Sequence, residues 1–246
     1  MSSSTVDITT TDGVADAYLA RPDERPQPGV LLLMDAYGLR PTVQELADRI
    51  AGDGYVVLAP NVFYRGGRSP VVPPEDIGDP ERRQKLWESI RPMMGQLTPE
   101  RIASDARAYL DYLGDAGAPG RVAITGYCMG GRLGWWIAAA HPDRVAALAA
   151  FHTGGLVTDD ERSPHRHAGE VDAELYFGFA DHDPGMTREQ IDTLEQTLAD
   201  MGTPFRSEVY AGARHGYTMD DLPVFDEAAR ERHFRELRAL LERTLG

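Results

Sequence analysis

The chain has 246 residues, of which 39 are acidic and 25 are basic, so its formal net charge at pH 7 is −14. It is long enough to bury a core without disulfide bonds, and we expect a single α/β domain over residues 1–246. The negative charge opposes a nucleic-acid partner. Residues 1–7 lack the pattern of a secretory signal, and no apolar run of about 18 residues occurs, so neither secretion nor a membrane span is predicted.

An antiparallel hairpin is predicted over about residues 5–20, because polar and apolar residues alternate on both sides of the turn pair Asp12 and Gly13. A polar link with several prolines follows over residues 21–28. Residues 29–34 are apolar throughout, which is typical of a strand that is covered on both faces. The chain therefore begins with an edge element and then enters the interior of a sheet.

Strands and helices then alternate along the chain, which predicts parallel strand pairing with right-handed crossovers. Further strands are predicted at residues 55–60, 122–127, 144–151, 173–179 and 205–210, and helices at residues 42–50, 81–94, 99–113, 132–140, 187–201 and 224–245. Residues 61–79 interrupt this order with glycines and prolines, which indicates a lid over a site or a mobile loop. We expect an α/β fold with a mostly parallel central sheet and helices on both faces. No glycine-rich cofactor motif occurs.

The stretch around Cys128 has the pattern of a nucleophile elbow. A strand leads into Gly126-x-Cys128-x-Gly130, and an apolar helix follows. The glycines let strand and helix approach closely around a strained turn that exposes one side chain. The amides at the start of the helix would face the thiol and favour a thiolate. The alternative is that Cys128, the only cysteine, is an ordinary small buried residue.

A histidine and a carboxylate downstream complete this pattern. Catalytic groups of open α/β sheets gather at the carboxyl ends of the strands, and Asp181 and His215 each follow a predicted strand. The order nucleophile, acid, histidine is the one expected of α/β-hydrolases. His215 would act as base and then as acid, while Asp181 would orient its ring. Asp183 is the alternative acid, and Asp181 is preferred because it comes first beyond the strand.

Two backbone amides are needed for the oxyanion, one after the nucleophile and one after an earlier strand, which indicates Met129 and Ala36. Asp35 directly precedes Ala36. A carboxylate near the thiol would repel a thiolate and modulate the cysteine by keeping it protonated until substrate arrives. The alternative is that Asp35 caps the end of its strand.

Together these residues resemble the dienelactone hydrolase family of the α/β-hydrolase superfamily, also called carboxymethylenebutenolidases. The resemblance runs almost end to end and is most specific at residues 126–131, 178–182, 213–216 and 55–65. It implies a Cys-Asp-His triad that opens an enol-lactone ring through an acyl-enzyme, without a metal or organic cofactor. By resemblance, Cys128, Asp181 and His215 take those roles.

The chain departs from the best-known members at two positions. Those members carry glutamate where this chain has Asp35, which is shorter by one methylene. They also bind a substrate carboxylate through arginines, one of them four residues after the histidine, where this chain has Met219. Candidates to replace that arginine are Arg40, Arg65, Arg82 and Arg132.

The candidate residues of the substrate pocket are Tyr37, Arg40, Tyr64, Tyr127, Trp135 and His152. His165 and His167 are expected to be solvated rather than to bind a metal.

The sequence therefore predicts a cytoplasmic, cysteine-dependent hydrolase of a small lactone or carboxylic ester, monomeric or homodimeric. The single cysteine excludes an internal disulfide framework and suits a reducing compartment. The alternatives are a ligand-binding or scaffold protein of the same fold, which would have an ordinary thiol, and a redox sensor, which would lack a resolving cysteine.

Overall fold

The structure is a computed structural model that describes residues 1–23 and 27–246, so residues 24–26 of the predicted link lie outside the described part. One eight-stranded sheet has the order β1-β2-β4-β3-β5-β6-β7-β8. The strands are β1 (Ser2–Thr10), β2 (Gly13–Arg21), β3 (Gly29–Leu33), β4 (Val56–Pro60), β5 (Val122–Tyr127), β6 (Val145–Phe151), β7 (Glu174–His182) and β8 (Phe205–Arg214). The helices are α1 (Pro41–Gly52), α2 (Pro80–Gly95), α3 (Pro99–Asp115), α4 (Met129–Ala140), α5 (Arg188–Met201) and α6 (Glu227–Leu245).

The pairing confirms a mostly parallel sheet. Adjacent strands along the order β4-β3-β5-β6-β7-β8 pair in parallel. The pairs β1–β2 and β2–β4 are antiparallel. Every residue of β3, β4 and β5 is buried, because helices cover these central strands. The chain crosses from β3 to β4 in one direction and then from β4, past β3, to β5 in the other, so right-handed crossovers place α1 and α3 on opposite faces.

Residues 61–79 contain the short 3₁₀ helices Tyr64–Gly66 and Pro74–Asp76. Apolar side chains anchor this excursion in the core, since Val62, Phe63, Val72 and Ile77 are all buried. The excursion leads into α2, whose first turn is capped by the Asp79 side chain on the amides of Glu81 and Arg82. The point at which α2 begins therefore follows from how this excursion packs.

In the described part of the chain, no helix combines the length and the apolar character that crossing a bilayer requires.

Candidate active site

Cys128 lies on a strained turn between β5 and α4. Its φ is 53° and its ψ is −115°, values that non-glycine residues rarely adopt. Glycine is required on both sides: a Cβ on Gly126 would lie 2.4 Å from the Gly130 carbonyl oxygen, and a Cβ on Gly130 would lie 2.2 Å from the Leu33 carbonyl oxygen. The local geometry is that of a nucleophile elbow with a half-buried thiol.

His215 follows β8 and reaches both the thiol and a carboxylate. The Cys128 side chain lines the same cavity as the His215 ring and helps to raise the pKa of that ring. On the other side of the ring, Nδ1 lies 2.6 Å from Oδ2 of Asp183, a carboxylate whose side chain is only 3% exposed. The Asp183 carboxylate is itself oriented, since its Oδ1 accepts a hydrogen bond from the Gly185 amide. Sulfur, imidazole and carboxylate thus form one continuous chain of contacts.

The structure corrects the choice of carboxylate. Asp181 does not contact His215; its Oδ2 accepts a hydrogen bond from the Gly212 amide, and its side chain is 42% exposed. β7 continues to His182 rather than ending at residue 179, and its register with β8 shifts between Ala180 and His182. Such an irregularity re-aims a side chain, so Asp181 bonds the neighbouring strand and Asp183 is the first aspartate beyond the strand.

The electrostatics favour a charged imidazole. Burial opposes protonation of His215, but the hydrogen bonds with Asp183 and Cys128 outweigh it and raise the pKa of His215 to about 10. At neutral pH the ring therefore carries a proton on both nitrogens. Nδ1–H donates to Asp183, which leaves the second nitrogen of the ring to exchange a proton with the sulfur or with a leaving group.

The two expected oxyanion donors are both near Cys128, since Ala36 lines the same cavity and Met129 follows Cys128 in the chain. Ala36 is on the loop after β3, lines the cavity beside Cys128, and its amide has no acceptor within the described chain. Met129 is the first residue of α4, where amides of the first turn have no partner inside the helix. Both amides are therefore available to an oxygen held next to the sulfur.

A cavity of about 210 Å³ opens in front of Cys128. Its walls are Asp35, Ala36, Tyr37, Arg83, Trp87, Cys128, His152, His215, Gly216, Leu222, Pro223 and Val224. A larger and more open cleft of about 500 Å³ lies between β1 and α3, but no residue of the Cys128, His215 and Asp183 set lines it. The smaller cavity is therefore the candidate substrate pocket.

Only Tyr37 and His152 of the predicted pocket residues line this cavity. Tyr64 donates a hydrogen bond to Asp105 beneath the hairpin, and Tyr127 shares one with His233 inside the core at 2.9 Å. Trp135 is fully buried on α4 and packs against Phe177. These three aromatic side chains are core residues, because large apolar rings at strand and helix positions are used first to fill the interior.

His152 is held in an unusual conformation beside the His215 imidazole. It is fully buried with a φ of 39°, and its ring lies edge to face with that of His215 at 5.3 Å between centroids. Its Nε2 is 2.7 Å from the Thr218 hydroxyl, whereas Nδ1 has no hydrogen-bond partner within the described residues. Burial lowers the pKa of His152 well below its ordinary value, so this ring is neutral.

Arg40 does not face the cavity. Its side chain is 1% exposed and forms paired hydrogen bonds with both Asp35 and Asp221. Asp35 lines the cavity, but its carboxylate is engaged by this guanidinium and by the Tyr37 amide. The expectation that Arg40 lines the substrate pocket is therefore wrong. The modulation of the thiol by Asp35 stays a prediction, now for a carboxylate that is paired with Arg40.

The arginine that does line the pocket is one that the sequence did not single out. Arg83 and Trp87 stand one turn apart on α2 and both face the cavity. Arg83 donates one hydrogen bond, to the Ile77 carbonyl at 3.2 Å, and has no carboxylate partner among the described residues. The available signal was the i, i+4 spacing of a cation and an aromatic ring on a predicted helix.

The other candidates are engaged elsewhere. Arg65 pairs with Asp12 and Asp105, and Arg82 pairs with Asp76. Arg132 lines a separate surface cavity near Trp136.

Met219 is buried in the hydrophobic core and does not line the pocket, so an arginine there would not reach a ligand without rearrangement. His165 bonds Ser163 and His167 bonds Glu170.

Comparison with known proteins gives one consistent family. A sequence model of the dienelactone hydrolase family matches residues 15–245. Proteins of Escherichia coli and Salmonella typhi, each provisionally named carboxymethylenebutenolidase, are 27% identical over an alignment of 224 positions that covers 87% of this chain and 77% of theirs.

Two solved structures illustrate the shared fold. A provisionally named dienelactone hydrolase from Klebsiella pneumoniae superposes with a TM-score of 0.85 at 21% identity and covers 98% of both chains. A dienelactone hydrolase-like promiscuous phosphotriesterase from metagenomic libraries superposes with a TM-score of 0.76 at 20% identity, over 99% of this chain and 98% of that one.

Proposed function

Because the chain belongs to the dienelactone hydrolase family, we propose that it is a cysteine hydrolase in which Cys128, His215 and Asp183 cleave a small lactone or carboxylic ester. Family membership supports a hydrolase of esters or lactones. The observation that supports this particular triad is the contact between the Asp183 carboxylate and Nδ1 of His215, 2.6 Å long, on a ring whose other side reaches the sulfur. This is the geometry that an activated nucleophile requires.

The reaction proceeds in two stages. The thiolate of Cys128, whose proton resides on His215, attacks the carbonyl carbon, and the amides of Ala36 and Met129 stabilise the oxyanion. The carbon–oxygen bond then breaks while His215 gives its proton to the leaving oxygen, which produces a thioester and an alcohol; in a lactone the alcohol stays attached to the acyl group. Water then attacks the thioester as His215 takes its proton, and the carbon–sulfur bond breaks to release the carboxylic acid and restore the Cys128 thiolate beside a protonated His215.

The pocket favours a small substrate that carries a negative charge. Its volume of about 210 Å³ suits a compact acyl group, and the Trp87 and Leu222 side chains supply apolar walls. Arg83 is the only arginine among the residues that line the pocket, and its guanidinium has no carboxylate partner among the described residues. It also acts on Tyr37: burial raises the pKa of that hydroxyl, and the nearby Arg83 charge opposes the rise. A substrate carboxylate would supply the missing partner.

A burst experiment tests the proposal. Mixing with excess p-nitrophenyl acetate is expected to release p-nitrophenol rapidly and to add one acetyl group, which intact-mass and peptide analysis should place on Cys128. Cys128→Ala is the test variant, and Arg132→Gln, on the same helix but outside the pocket, is the matched control. Acylation at another residue, or equal turnover by Cys128→Ala, would refute the mechanism and leave a binding or scaffold role.

The free thiol on which this chemistry depends is also the basis for the proposed location. A catalytic cysteine must remain reduced, and we infer a cytoplasmic site of action for that reason.

A further inference from the structure

We propose that Arg40 is a positioning residue that locks the loop carrying the Ala36 amide to the opposite wall of the pocket. The inference rests on the proposed function, because it concerns how the same cavity is held in shape. It assigns to Arg40 a role in the reaction that involves no contact with substrate.

The contacts of Arg40 bridge two segments that are 181 residues apart in sequence. Nη1 and Nη2 donate to the two carboxylate oxygens of Asp35 at 2.7 and 3.0 Å. Nε and Nη2 donate to the two carboxylate oxygens of Asp221 at 2.5 and 3.0 Å. Nη1 also reaches the Gly38 carbonyl at 3.2 Å. The guanidinium thus uses its planar set of donors to hold both loops at once.

Each carboxylate anchors a functional part of the pocket. Asp35 directly precedes Ala36, and its Oδ1 also accepts the Tyr37 amide at 2.9 Å, so it fixes the turn that presents the oxyanion donor. Asp221 directly precedes the wall residues Leu222, Pro223 and Val224. A displacement of the Asp35 carboxylate would therefore shift the Ala36 amide, and a displacement of the Asp221 carboxylate would shift the pocket wall.

A neighbouring contact joins the same two segments. The Thr42 hydroxyl donates to Oδ1 of Asp220 at 2.8 Å, and Arg230 donates to Oδ2 of the same carboxylate at 2.9 Å. This contact lies at the start of α1 and is less buried than Arg40, since the Asp220 side chain is 32% exposed. Arg40 is consequently the more buried of two polar contacts that join the loop after β3 to the loop after His215.

The charges explain why an arginine is needed. Two carboxylates lie against one buried cation, so removing the cation would leave like charges facing each other. A lysine would retain the charge, but an ammonium group cannot form paired bonds to two carboxylates in one plane. The same bonds engage both oxygens of Asp35, which fixes the orientation of that carboxylate.

The experiment compares Arg40→Lys and Asp221→Asn with the parent and with Arg49→Lys. Arg49 is a matched control because it forms a paired but half-exposed contact with Glu231, away from the pocket. We would measure amide hydrogen exchange over residues 35–40 and 216–224, kcat and KM for p-nitrophenyl acetate, and the rate of Cys128 alkylation by iodoacetamide. Cooperative urea unfolding shows that each variant is folded.

In Arg40→Lys, both segments are expected to exchange faster, and kcat is expected to fall about tenfold, less than the loss of a whole oxyanion donor. In Asp221→Asn, the second segment should exchange faster and KM should rise. Alkylation should stay within about twofold of the parent, because the contacts of Cys128, His215 and Asp183 are untouched. Arg49→Lys should match the parent in every measurement.

Unchanged exchange in both segments, or unchanged kcat and KM in both variants, would overturn the inference. A large fall in alkylation would also overturn it, because Arg40 would then act through the thiol. If Arg40→Lys fails to fold, Asp221→Asn decides the question alone. Should the parent lack Cys128-dependent turnover, the proposed function fails, and hydrogen exchange still decides whether Arg40 joins the two loops.

Discussion

The Asp183 carboxylate lies 2.6 Å from Nδ1 of His215, whereas Asp181, two residues earlier, bonds the amide of Gly212 in the adjacent strand. Two similar aspartates at the end of one strand therefore have different roles. The first accepts a hydrogen bond from strand β8 and the second orients the imidazole.

Substituting these two aspartates separates their roles. Asp183→Asn should lower kcat about 10³-fold, because an amide cannot stabilise the imidazolium or select its tautomer. Asp181→Asn should leave kcat within about twofold, since its contact is with a backbone amide at the surface. Steady-state kinetics with p-nitrophenyl acetate measures both variants. A larger loss in Asp181→Asn than in Asp183→Asn would contradict the assignment.

The raised pKa of His215 predicts a pH-dependent contribution to stability. Its pKa in the folded state, about 10, lies above the ordinary value of 6.5, so the stabilising contribution is complete below about pH 6.5. It is then lost as the pH rises through about 10. The difference in unfolding free energy between the parent and His215→Gln should accordingly be larger at about pH 6 than at about pH 10.

Urea unfolding of both proteins at the two pH values measures this difference. The comparison with His215→Gln removes the contributions of other groups that titrate in the same range. A difference that stays constant, or grows, between the two pH values would show that the imidazole is not held in its charged form.

Charge recognition by the pocket can be tested at Arg83. Arg83→Met should reduce kcat/KM for the mono-p-nitrophenyl ester of succinate by about 10- to 100-fold, the usual contribution of a charge-assisted hydrogen bond. The neutral p-nitrophenyl acetate should change by about twofold or less. Arg82→Met is the matched control, because Arg82 is an exposed neighbour on the same helix that pairs with Asp76. Equal losses for both esters would argue against a carboxylate site.

The elbow should tolerate no side chain at Gly130. A Cβ there would overlap the Leu33 carbonyl oxygen at 2.2 Å, and backbone atoms cannot move aside cheaply. Gly130→Ala should therefore destabilise the protein by several kcal/mol, about 3 or more. Gly114→Ala in α3, where no atom lies within 4 Å of the added carbon, should instead be neutral or stabilise by about 0.5–1 kcal/mol. Urea unfolding of the two variants checks both expectations.

Much of this architecture can be predicted from the sequence, because its signals are local. The family resemblance and the parallel sheet are confirmed. The pattern Gly126-x-Cys128-x-Gly130 indicates the turn directly, since the glycines lie next to the residue that they serve. His215 follows a strand and occupies the expected rim.

The remaining site residues depend on relationships that no local pattern contains. The choice between Asp181 and Asp183 is decided by a register shift between β7 and β8. Arg83 lines the pocket because the excursion of residues 61–79 brings α2 to the cavity beside Cys128. The pairing of Arg40 could not be predicted, because its partner Asp221 lies 181 residues later in the chain.

The hydrogen bond between Tyr127 and His233 has a consequence for biosynthesis. Tyr127 directly precedes the nucleophile, and its partner in α6 is made 106 residues later. On the ribosome, the nascent polypeptide thus exposes a thiol that has neither its imidazole nor a secured turn. Under the proposed mechanism, the thiol gains its nucleophilic character only after His215 has been synthesised and has folded beside it, so a shorter nascent chain does not attack esters around it.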